Sequence, residues 1–116
     1  SWFHVTTHGG YFQPHHHPNA SWSVVYCVDN GFSGQESDFE ESGHLVFIDP
    51  RQASMFLDEH GRQLHRDISF DGAKYFLANG DVVIFPSYLH HYVSPYYGDS
   101  ERITVAANFW GRHRNA

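Results

Sequence analysis

Three consecutive histidines, His15, His16 and His17, stand between Pro14 and Pro18 in the stretch QPHHHPNASWSVVYC. If the chain around Pro14 is extended, side chains alternate, so His15 and His17 share one face and His16 points away. A His-x-His pair on one strand face offers two imidazole nitrogens to a single divalent metal. An exposed histidine-rich turn has the same composition, so this stretch alone does not decide between them.

Two further stretches bear on the choice. In GDVVIFPSYLHHYVSP a turn at Asn79-Gly80 launches an apolar strand, Pro86 breaks it, and His90 and His91 follow on the next strand. Adjacent strand residues face opposite ways, so one of these two histidines points into the protein and the other is a surface or supporting imidazole. In ERITVAANFW, residues Arg102, Thr104, Ala106 and Asn108 share one face of an extended strand. An arginine turned inward on such a strand is costly unless an anion partners it, as in a carboxylate clamp. A surface salt bridge to one of the 13 acidic residues is the simpler alternative. Trp22 and Tyr26 share a face of the strand after the histidine pair and are candidates for a substrate-pocket wall or for plain core.

Strands must position these residues. Alternation and β-branched or aromatic enrichment predict strands over Trp2–Thr7, Ser21–Val28, His44–Ile48, Ala73–Leu77, Asp81–Phe85, His90–Val93 and Arg102–Phe109. Turn signals separate them at Gly9-Gly10, Asp29-Asn30-Gly31, Asp49-Pro50, Asp71-Gly72 and Asn79-Gly80. Asn30–Ser42 is polar and acidic and reads as an exposed hairpin loop. Arg51–Arg66 lacks strand character and reads as an irregular or short helical excursion. Many short strands with regular turns predict an all-β fold, a mainly antiparallel barrel or jelly roll.

Taken together, PHHHPNASWSVVYCV, GHLVFIDPR, GDVVIFPSYLHHYVSP and RITVAANF resemble the Fe(II)- and 2-oxoglutarate-dependent dioxygenases. The likeness is to a small oxygenase family with a His-x-His-Pro-Asn element, and the motifs run in family order over nearly the whole chain. It implies a double-stranded β-helix holding iron at His15, His17 and His91. It favours His91 over His90 because the family's histidine follows Phe-Pro-Ser after a three-residue gap. It implies that Arg102 binds the far carboxylate of 2-oxoglutarate, with Thr104 as its helper. O2 and a small-molecule or peptidyl substrate complete the expected reaction.

Two departures qualify the likeness. The wider superfamily commonly pairs two histidines with one carboxylate, whereas His17 makes this set three neutral imidazoles. Asp49 or Asp67 is the alternative source of a carboxylate. Longer relatives carry helices before the barrel that this chain lacks, so the 116 residues are expected to be one barrel domain of a longer protein.

A cupin is the nearest rival. Gly9, His15 and His17 match the start of its first motif, and Gly80, Pro86 and His91 partly match its second. The glutamate expected soon after His17 is absent, and a cupin does not need Arg102 inside. A non-catalytic β-domain with incidental histidines is the third reading.

Bulk properties narrow the classes. Aromatic and charged residues each make up 17% of the chain, enough to build a core and too ordered a composition for a disordered chain. A net charge of −6 without a basic cluster argues against nucleic acid. No apolar run approaches membrane-spanning length. A single cysteine, Cys27, excludes an internal disulfide and fits a reducing compartment, with the cytoplasm the expected location.

Overall fold

The computed structural model describes residues 1–32, 41–51, 63 and 72–114. Eight strands follow in chain order: β1 (Trp2–Thr6), β2 (Phe12–His15), β3 (Trp22–Asp29), β4 (Leu45–Phe47), β5 (Ala73–Tyr75), β6 (Val82–Pro86), β7 (His91–Val93) and β8 (Arg102–Phe109). They form two four-stranded sheets, ordered β1-β8-β3-β6 and β2-β7-β4-β5. Every pairing is antiparallel. No α-helix occurs among the described residues. The fold is the expected all-β jelly roll.

Seven of the strands lie where alternation predicts them, β8 with the same bounds and the other six shifted by a residue or two at their ends. The eighth, β2, escapes the pattern because Gln13-Pro14 interrupts both alternation and apolarity. Its proline costs little, since Phe12 and His15 alone register with the neighbouring strand and the ladder shifts between them. The expected loop at Asn30–Ser42 and excursion at Arg51–Arg66 fall largely outside the described residues, and Asp67 lies outside them entirely.

The core lies between the sheets, where Cys27, Leu45, Phe47, Leu77 and Phe85 are buried together. The inner face of the first sheet is more polar than its outer face. Ser23 and Cys27 of β3 and Arg102 and Thr104 of β8 are buried. Outward lie Phe3 and Val5 of β1, Val82 and Ile84 of β6, and Trp22, Tyr26 and Val28 of β3, all exposed. Several of these inner polar residues, Ser23, Arg102 and Thr104 among them, line a cavity between the sheets.

Candidate metal centre

β2 and β7 pair so that His15 faces His91 directly. Their rings lie 4.3 Å apart, centroid to centroid. His17, just past the end of β2, closes the group, with its ring 5.0 Å from His15 and 5.2 Å from His91. Its backbone N–H donates to the Ser87 carbonyl at 3.0 Å, which fixes the turn against the opposite sheet. One ligand nitrogen from each of the three lies within 4.8 Å of the others, close enough to share one ion. His16 and His90 meet on the exposed side, their rings tilted and 4.6 Å apart. Strand alternation therefore splits both His-His sequences, one ring inward and one outward.

The supporting contacts suit ligation. His91 Nδ1 lies 2.9 Å from the Leu89 carbonyl and His15 Nδ1 2.7 Å from the Gln13 carbonyl. Each carbonyl accepts the Nδ1 proton, which leaves Nε2 with its lone pair free for a metal. Burial is the main cause that holds His91 down to about 4, so at neutral pH it is uncharged. Burial and the neighbouring histidines likewise lower His17. Three imidazoles, half-buried or buried, are a donor set for a borderline divalent ion such as Fe(II) or Zn(II). No carboxylate joins the group among the described residues. Asp49 is instead gripped by Arg51 through two side-chain hydrogen bonds of 3.0 and 2.8 Å.

The three histidines open on a cavity of about 260 Å³ that also reaches Arg102, Thr104 and Asn108. Such a volume, just under the usual range for drug-sized ligands, suits a small one. Its lining includes no Asp or Glu among the described residues. Arg102 is 2% exposed, and neither Nη1 nor Nη2 has a hydrogen-bond partner among the described residues. Burial pushes its guanidinium below the usual arginine range, yet a guanidinium stays charged in a protein. A buried, unpaired cation costs several kcal/mol. Facing a cavity lined by no acid among the described residues, it presents a planar fork shaped for a carboxylate. Thr104, two residues along the same face, is buried beside it.

The sequence does not single out Gly43, which packs against Tyr96 and Arg102. Its φ of +63° is left-handed, and a Cβ would lie 3.2 Å from the Tyr96 ring and 3.4 Å from Arg102 Cδ. His4 is also missed. It lines the cavity with its Nε2 accepting from Trp2 Nε1 at 2.6 Å. Alternation along β1, which puts Trp2, His4 and Thr6 on one face, was the available signal.

Trp22 and Tyr26 do not line the cavity. They are 51% and 40% exposed on the outer face of β3, while Ser23 and Val25 face the cavity in their place. Their shared face is real, but it is the opposite one.

Two antiparallel sheets enclosing a pocket with three converging histidines define a jelly roll with a candidate metal centre. Residues 1–108 match the family model described as "Putative 2OG-Fe(II) oxygenase", and the chain belongs to that family. The fold is similar to a solved structure, a prolyl-4-hydroxylase of Pseudomonas putida, with a TM-score of 0.57 and 17% identity over 96% of this chain. The chain spans about half of that hydroxylase, 51% of its length. No curated protein sequence matches the chain. No helix among the described residues is long and apolar enough to cross a membrane.

Proposed function

We propose that this domain is a non-haem Fe(II)- and 2-oxoglutarate-dependent dioxygenase that hydroxylates a small-molecule or peptidyl substrate in the cytoplasm. His15, His17 and His91 hold the iron. Arg102 binds the far carboxylate of 2-oxoglutarate, and Thr104 adds a hydroxyl beside it. The observation that carries this reading is the buried guanidinium of Arg102, unpaired among the described residues and open to the cavity that the three histidines also line. A metal-binding cupin would not need such a group inside.

Iron and 2-oxoglutarate would supply the oxidising power. Together they would supply the chemistry that turns O2, 2-oxoglutarate and a substrate C–H into succinate, CO2 and C–OH. This chain's residues have simpler tasks. The Leu89 and Gln13 carbonyls orient two imidazoles. Arg102 fixes the cosubstrate's far end, and Leu45, Phe85 and Val93 exclude water along one wall. Three neutral ligands leave bound iron its full double charge, which the dianionic cosubstrate offsets. Anaerobic titration with Fe(II) and then 2-oxoglutarate tests the reading. A visible charge-transfer band that saturates with both supports it, and no band with either excludes it.

A further inference from the structure

We propose that Asn108 is a second recognition residue of the cavity, its side-chain amide donating to the metal-proximal carboxylate of a bound 2-oxo acid. The inference rests on the function proposed above and deepens it.

It begins with two buried hydroxyls that the core does not need. Ser23 and Ser87 are 2% and 1% exposed, and their Oγ atoms lie 2.9 Å apart. Ser23 Oγ donates to Asn108 Oδ1, also at 2.9 Å. A serine has one hydroxyl proton, so Ser23 spends its own on Asn108 and receives the proton of Ser87. Both hydroxyl protons are used within the relay only when the amide turns its oxygen towards Ser23. Its oxygen is taken up by Ser23, and its NH2 group, with two donors, has no protein acceptor among the described residues. Asn108 lines the cavity. Buried hydroxyls are costly in an apolar layer unless the network they form is used.

Position selects the ligand end. Ser23 pairs with Asn108 on one side and with Phe85 on the other. The Phe85 ring lies 4.7 Å from that of His91, so this rung faces the histidine group. Arg102 is six residues back on the same face, roughly 20 Å along the strand at the usual rise. The two residues therefore stand at opposite ends of the cavity. A dicarboxylate held by Arg102 at one end and by a metal at the other presents its near carboxylate towards Asn108. An amide suits that place, since it donates without charge, whereas an aspartate would repel the ligand.

The test compares two 2-oxo acids on Fe(II)-loaded protein under anaerobic conditions, with 2-oxoglutarate carrying a far carboxylate and pyruvate lacking one. Asn108→Ala should weaken both by roughly ten- to a hundred-fold, the range for a hydrogen bond to a charged group. Arg102→Ala should weaken 2-oxoglutarate alone. Ser23→Ala, which frees the amide to turn, should weaken both by a smaller factor. Fe(II) affinity without an oxo acid should match wild type in Asn108→Ala, which a merely structural role would not predict. Wild-type affinity for both oxo acids in Asn108→Ala overturns this inference alone, as does a loss of Fe(II) affinity in that variant. Failure of wild type to bind either acid overturns the proposed function as well.

Discussion

His15 on β2 and His91 on β7 occupy directly opposed positions in an antiparallel pair, with ring centroids 4.3 Å apart. The cross-strand register thus brings residues 76 positions apart in the chain into ligand distance. It also places His16 and His90 back to back on the other side.

His91→Ala should abolish metal binding, and His90→Ala should leave it within about two-fold of wild type. Both variants are measured by Fe(II) or Zn(II) titration. Equal loss from the two would mean that the outward imidazole supports the ligand set.

His17→Asp should retain iron, because two histidines and one carboxylate form a common Fe(II) site. Metal content after anaerobic loading is the readout. Complete loss would show that the turn after β2 requires the longer reach of an imidazole.

Acid should destabilise the metal-free protein through His91. Its folded value of about 4 lies below the ordinary 6.5, so the unfolded chain binds more protons between them. Stability is therefore full above about pH 6.5 and declines as pH falls towards 4, by at most about 3 kcal/mol from this residue. Thermal melts across that window should flatten in His91→Gln, and an unchanged slope would count against the assignment.

Gly43→Ala should lower both stability and 2-oxoglutarate affinity. A non-glycine residue at φ +63° costs about 1–2 kcal/mol. The added Cβ also crowds the Tyr96 ring and lies in contact with Arg102, so a shift of the ring should reach the guanidinium. Loss of stability with unchanged 2-oxoglutarate affinity would show that Arg102 tolerates the shift.

Much of this was legible in the sequence, and the limits have physical causes. The span of β8 and the shared face of Arg102, Thr104 and Asn108 follow from alternation alone. The choice of His91 over His90 came from family spacing, because alternation says that two neighbours differ without saying which is inside. Trp22 and Tyr26 show the same limit. Their shared face is correct, but both faces of β3 read as apolar, and the inner one carries Ser23, Val25 and Cys27. Hydrophobicity did not choose the face because large aromatics sit on the outer side while smaller residues, Ser23 and Val25, line the cavity. Gly43 and the Ser87–Ser23–Asn108 relay depend on contacts between distant segments, which no local pattern encodes.

The central claim is that Arg102 serves an anionic cosubstrate and not the fold. Its buried fork has no hydrogen-bond partner among the described residues, so Arg102→Ala should leave the melting temperature of the ligand-free protein unchanged or raise it. Fe(II) affinity should also hold. The deciding measurement is 2-oxoglutarate affinity at saturating Fe(II), under anaerobic conditions, in wild type and Arg102→Ala. A lost charge-assisted pair in a dry site is worth roughly 2–4 kcal/mol, so the variant should bind some thirty- to several-hundred-fold more weakly. Equal affinity in the two proteins would contradict the account.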